Sequence, residues 1–307
     1  MIGIPKSTFY DRLTKEQVFN KEKLFSHNYK QEENIKELRT RLINFQSQLN
    51  KLDNKQIKIS IEIKDSKPIL LSFWGDWHIG GQGVHHKQLF QDSKVISSIE
   101  GIYYIGMGDY TEEALEHGIP GERYGEILTP SKQRKIAESI FSETSKQCIG
   151  LIRGCHPDRL QRLADIDPLE RYCEISDAAN LWHGGEIHIV LDNAEYIIKA
   201  RHKARYDSSL RTMNAYRRIL NMQGNADIVA LAHLHFLDMH HTSYQGNNDV
   251  LFFRSGTYKI SDEYGQKLNG YKGIYGIPGA ILYPNKKLVP FRDFNTAIKF
   301  LRMERSG

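Results

Sequence analysis

Five short apolar runs in this chain each give way at once to residues that can bind a metal ion. Residues 69–73 are followed by Gly75-Asp76-Trp77-His78, residues 102–105 by Gly106-Met107-Gly108-Asp109, and residues 148–152 by Gly154-Cys155-His156. Residues 196–200 lead to His202, and residues 227–232 lead to His233-Leu234-His235. The runs are short and rich in β-branched and aromatic residues, so they read as buried strands. Helical stretches at 131–147 and 208–222 fall between them. Strands alternating with helices predict a layered α/β fold with helices over the sheet faces. In such sheets the strand ends form the crevice where ligands bind. Five stretches far apart in sequence are therefore expected to meet there.

The 307 residues suffice for about two domains, or for one large α/β domain with an appendage. Residues 1–54 read as a polar helical, coiled-coil-like arm, and 55–307 as the layered domain. In the arm Ile35, Leu38, Leu42, Phe45, Leu49 and Leu52 recur at alternating spacings of three and four, a heptad seam. This stripe can pack on its own domain or form a homodimer contact through residues 35–52. Residues 3–13 resemble the turn and recognition helix of a helix-turn-helix module, but the preceding helices are absent. From 57 to 63 isoleucines alternate with polar residues, a half-buried strand. A 40% hydrophobic and 26% charged composition excludes a disordered chain. No apolar run is long enough to span a bilayer, and the first residues lack an apolar signal core. The expectation is a cytoplasmic chain with no membrane partner. Three unpaired-looking cysteines suit a reducing compartment. A net charge of +5 permits a polyanionic partner without requiring one.

A lone D-x-H, G-D or H-x-H is common and usually structural. The ordered set after five strands has no shared structural explanation. Carboxylates and imidazoles suit Mn²⁺, Fe²⁺ and Zn²⁺. In an extended segment the two side chains of D-x-H, or of His233 and His235, would point to one side. A carboxylate such as Asp109 can bridge two cations, and such a pair can hold a phosphate and acidify a shared water.

The order D-x-H, G-D, G-Cys-H in place of G-N-H, H, then H-x-H resembles the calcineurin-like metallophosphoesterases over about residues 69–240. The resemblance implies an α/β/β/α sandwich, four layers built on two mixed sheets, to which the helical arm read from residues 1–54 is joined. It implies two divalent transition metal ions, Mn²⁺, Zn²⁺ or Fe²⁺. Asp76, His78 and His235 would hold the first, Asp109 would bridge, and His202, His233 and Cys155 would hold the second. His156 would sit beside the scissile phosphate, with Asp158 orienting it, and a metal-bridging hydroxide would attack phosphorus. Two positions depart from the family's pattern. Cys155 stands where asparagine is usual, and a thiolate favours Zn²⁺ over Mn²⁺. Pro157 separates His156 from the acidic Asp158. The C-terminal pattern of Ser255-Gly256-Thr257-Tyr258 and Gly276-Ile277-Pro278 resembles phage or prophage members, often regarded as nuclease-like.

Substrate is less directly written. Arg159, Lys203 and Arg205 are the candidate substrate contacts, and Arg211, Arg217 and Arg218 extend a basic cluster that could track a phosphate backbone or be a solvated helix face. Tyr103, Tyr104, Tyr124, Tyr206 and Tyr258 are candidates to stack on bases or to fill the core. The leading expectation is a phosphodiesterase or nuclease acting on DNA or other nucleic acid. The alternatives are a phosphomonoesterase or small-nucleotide phosphodiesterase, and a degenerate, non-catalytic member that binds DNA or a partner.

Overall fold

The computed structural model describes residues 35–53, 57–114, 125–156, 166–208, 210–244, 248–261 and 272–306. The helix-turn-helix-like segment, Tyr124, Asp158 and Arg159 lie outside the described residues. Helix α1 (Ile35–Asp53) covers the heptad seam and belongs to a unit separate from the body that begins at Ile57. Among the described residues no helix is long and apolar enough to cross a membrane.

The body is built on two six-stranded mixed sheets. One contains β1 (Lys58–Ile63), β6 (Gly184–Leu191), β7 (Ala194–Arg201), β8 (Ile228–Leu231), β10 (Asn248–Arg254) and β9 (Asp238–Tyr244), in that spatial order. The other runs β12 (Leu288–Phe291), β11 (Gly279–Leu282), β2 (Ile69–Trp74), β3 (Ile102–Gly106), β4 (Cys148–Leu151) and β5 (Ala179–Asn180). β2, β3 and β4 are mutually parallel, as are β7, β8 and β10. Each set thus delivers its carboxyl ends to one rim.

The sheets face each other. Leu71, Phe73, Ile105 and Ile149 from one pack with Ile187, Tyr196, Ile198, Ile228 and Phe253 from the other. Burying each such side chain contributes roughly 1.5–3 kcal/mol before the entropy of ordering it. The outer face of the β2–β3–β4 sheet is covered by α2 (His86–Ser98), α3 (Pro130–Glu143), α4 (Pro168–Ser176) and α6 (Phe294–Ser306), through Leu89, Ile96, Phe141, Leu169, Tyr172 and Leu301. α5 (Thr212–Gln223) covers the outer face of the other sheet with Ala215, Tyr216 and Ile219 against Val229 and Phe252. The fold is the expected four-layer α/β/β/α sandwich of two mixed sheets.

Local differences have local causes. The helix read over 131–147 ends at Glu143, because Thr144 turns its side chain back onto the Ile140 carbonyl and the chain tightens into a 3₁₀ turn. The helix read from 208 starts only at Thr212. Asp192 and Asn193 form the two-residue turn of the β6–β7 hairpin, and Glu195 lies in β7 opposite Val190.

Candidate metal centre

Each candidate ligand follows directly on a buried strand. Asp76 and His78 follow β2, Asp109 follows β3, Cys155 and His156 follow β4, His202 follows β7, and His233 and His235 follow β8. Three overlapping groups result. Ligand atoms of Asp76, His78 and His235 lie within 4.8 Å of one another; so do those of Asp109, Cys155, His202 and His233, and those of His78, Asp109 and His156. Asp158 and Arg159 are not described, and Lys203 and Arg205 are exposed on the segment after His202.

The backbone corrects one expectation. Asp76, His78, Asp109, His233 and His235 all have positive φ, between 49° and 73°. Neither D-x-H nor H-x-H is extended. Left-handed backbone is uncommon outside glycine and costs about 1–2 kcal/mol per residue. Long-range hydrogen bonds hold it here. Asp76 and His78 donate their N–H groups to the carbonyls of Gly108 and Asp109, at 2.9 and 3.0 Å. The His233 N–H donates to Asp76 Oδ2 at 3.0 Å. Two glycines permit the close approach. A Cβ on Gly154 would sit 2.0 Å from Asp109 Oδ1, and one on Gly108, itself at φ +98°, would sit 2.8 Å from His202 Nδ1.

Second partners fix the ring orientations. His202 Nδ1 is 2.8 Å from the Met107 carbonyl, which can only accept, so Nδ1 carries the proton and Nε2 faces inward. His78 Nδ1 donates to Glu112 Oε2 at 2.9 Å, and Lys259 Nζ holds Glu112 Oε1 at 2.6 Å. His156 donates from Nδ1 to the Glu112 carbonyl, and its backbone N–H donates to Asp109 Oδ1 at 2.9 Å. This is the arrangement in which imidazoles present a lone pair to a metal.

Ligand-capable atoms crowd together, and two of them lack a hydrogen-bond partner. His202 Nε2 lies 3.1 Å from Asp109 Oδ2, yet makes no hydrogen bond of proper geometry, and buried Asp76 Oδ1 has no partner. His78 Nε2 lies 2.9 Å from His235 Nε2. Buried acceptors without donors are costly unless a cation or proton lies among them. The charge balance agrees. Burial, reinforced by Asp109, pushes Asp76 up to about 7. Burial opposes the charge on Asp109 too, but His202 and His156 overcome it and hold that carboxyl well below the usual range. Burial disfavours the charged form of His202, which Asp109 and Asp76 outweigh, so its pKa rises well above normal. Burial, with neighbouring imidazoles, drives His233 down to about 3 and His235 well below the usual range. The donor set, carboxylate and imidazole with one thiol, fits divalent transition metals.

Several contributors escape sequence reading. Glu112 is three residues past Asp109 in the same loop. Arg254 ends β10, another strand-end position, and is fully buried. Its guanidinium grips Asp207 with both terminal nitrogens, at 2.8 and 2.6 Å, and donates to the Ala232 carbonyl at 2.9 Å. It thereby ties the loop after His202 to the loop that bears His233. The signal was present, as a charged residue closing the apolar run 250–253.

No protein-family model and no curated protein sequence matches this chain. Solved structures give distant likenesses. Wild-type Vps29 complexed with zinc from Entamoeba histolytica is 13% identical, with 73% of this chain and 98% of that one covered and a TM-score of 0.37. A conserved uncharacterised protein of Streptococcus pneumoniae, a predicted phosphoesterase, is 12% identical over 73% and 98%, with a TM-score of 0.32. The nuclease MPE of Pseudomonas putida is 13% identical over 72% and 87%, with a TM-score of 0.31. At TM-scores below 0.5 these likenesses carry no weight on function, which has to come from the chain's own residues.

Proposed function

We propose that this chain is a metal-dependent phosphoester hydrolase of the calcineurin-like type, acting as a phosphodiesterase on nucleic acid. One observation carries the reading: metal-capable side chains from five strand ends converge, and two of their buried atoms, Asp76 Oδ1 and His202 Nε2, have no protein hydrogen-bond partner. Asp76, His78 and His235 would hold one cation, and Cys155, His202 and His233 a second, with Asp109 between them. When bound, the two ions supply Lewis-acid polarisation of a phosphoryl oxygen and acidification of a water.

The chain's own residues do the rest. Glu112 and the Met107 carbonyl hold His78 and His202 in the tautomer that leaves Nε2 free. Hydrolysis forms a bond from water oxygen to phosphorus and breaks the bond to the leaving oxygen, which needs a proton. His156 keeps its Nδ1 proton on Glu112, so Nε2 is the atom that exchanges one. Nucleic acid is favoured over a small monoester by the basic segment that begins at Lys203, directly after a ligand.

The test is reconstitution with Mn²⁺ or Zn²⁺, followed by comparison of p-nitrophenyl phosphate, bis-p-nitrophenyl phosphate and labelled single-stranded DNA. The diester and the DNA should be cleaved, and Asp109→Asn should lower turnover on the order of 100-fold or more. Robust monoester turnover without DNA cleavage would move the assignment to a phosphomonoesterase. Fewer than one bound metal per chain would favour a non-catalytic binding protein.

A further inference from the structure

Of the described tyrosines considered as stacking candidates, Tyr104 and Tyr258 are buried and Tyr103 is half-buried. Only Tyr206 is exposed, at 64%. Its backbone is left-handed, at φ 62°, an uncommon state for a bulky residue. The next residue, Asp207, is locked into the core by the buried Arg254 pair. The ring is therefore held out from a rigid anchor. Arg205 and Arg218 place their guanidinium carbons 5.0 and 4.9 Å from its centroid.

The charge around it is unbalanced. Lys203, Arg205, Arg211, Arg217 and Arg218 are all exposed, and no carboxylate of the described residues is within ion-pair distance of any of them. Five unpaired cations within sixteen positions attract a polyanion. The patch also starts at the metal centre. Tyr206 is four residues past His202, a span of at most about 14 Å.

We propose that Tyr206, flanked by Arg205 and Arg218, is a stacking platform for a base of single-stranded nucleic acid whose backbone runs along the basic segment into the metal centre. Arg205 and Arg218 lie over the ring, so a base stacks into a tyrosine–guanidinium cluster whose cations also meet its phosphates; this recognises an unstacked base, which a duplex does not offer. This inference rests on the phosphodiesterase reading for its purpose. Its test does not depend on catalysis.

Binding of a fluorescein-labelled oligothymidylate of about 15 nucleotides, a length near the upper site size of single-strand readers, is measured by anisotropy in EDTA with the full chain. Tyr206→Ala should weaken it about 5-fold or more, the scale of one lost base–aromatic stack, and Tyr206→Phe should restore it. An abasic strand of the same length should bind wild type and Tyr206→Ala alike. The double variant Arg205→Ala/Arg218→Ala should weaken both strands. Equal binding of oligothymidylate by wild type and Tyr206→Ala, an equal loss on both strands, or no binding by wild type would overturn the platform. Competition by polyglutamate as effective as by oligonucleotide would reassign the patch to an acidic protein and overturn it too. Hydrolysis of bis-p-nitrophenyl phosphate by wild type is scored separately. Turnover with no Tyr206 effect defeats only the platform, and a Tyr206 effect without turnover defeats only the hydrolase reading.

Discussion

Cys155 gives the two halves of the proposed centre unequal chemistry. Its sulfur lies 3.6 Å from His233 Nδ1 and joins Asp109, His202 and His233, whereas the other group has only oxygen and nitrogen donors. A thiolate selects softer ions and a carboxylate harder ones. Co²⁺-loaded protein should therefore show a sulfur-to-cobalt charge-transfer band in the near ultraviolet. Cys155→Asn should abolish the band and preserve or raise turnover with Mn²⁺. Identical spectra for wild type and variant would remove Cys155 from the ligand set. A single bound metal with no turnover in the variant would instead show that the position cannot be replaced by an oxygen donor.

At the scale of elements, the strand ends are held to one another by charge as well as by sheet. Arg254 at the end of β10 grips Asp207 and the Ala232 carbonyl where all three are removed from water. Removing one partner strands the other, so Asp207→Ala should cost about 3–5 kcal/mol in urea unfolding. A loss below about 1 kcal/mol, the scale of an exposed pair, would show that the clamp is not structural. On the β6–β7 hairpin His188 bonds Glu186 at 2.9 Å and Glu195 at 2.7 Å through its two ring nitrogens, which only the imidazolium can do. Hydrogen bonds to Glu186 and Glu195 raise its pKa above the ordinary 6.5. Its contribution is fully present below that ordinary value and is lost as pH rises through the folded pKa. Thermal melts of wild type and His188→Gln should therefore differ most near pH 6 and converge in mild alkali; a pH-independent gap would contradict the assignment. Legibility in the sequence also divides by element. β2, β3, β4 and β8 are mostly apolar runs with glycine or alanine close behind, a local signal, and β7 shows the apolar residues 196–198 between Glu195 and Lys199. β6 was hidden because Glu186 and His188 interrupt it, although Lys199 and Glu195 satisfy them across the hairpin. α2 was hidden because His85 gives it no capping side chain. The left-handed turns at Asp76 and His78 could not be read, because their hydrogen-bond partners lie more than thirty residues away. The ligand identities were legible and their backbone geometry was not.

At the scale of the whole molecule, the heptad helix and the strand-end cluster make separate claims. Ile35 and Leu42 on α1 are 66% and 64% exposed. If the seam is a homodimer contact, light scattering should give twice the chain mass, and deletion of residues 1–54 should give a monomer that still hydrolyses the small diester. An unchanged mass after deletion would count against that contact. We propose that loops from five strands, brought to one rim by two facing sheets, cage a pair of cations. Anomalous diffraction from crystals equilibrated with Mn²⁺ or Zn²⁺ tests it most directly. Two peaks should appear about 3.5–4 Å apart, one against Asp76, His78 and His235 and one against Cys155, His202 and His233, with Asp109 between. Peaks elsewhere, or none among these side chains in an otherwise ordered site, would contradict it.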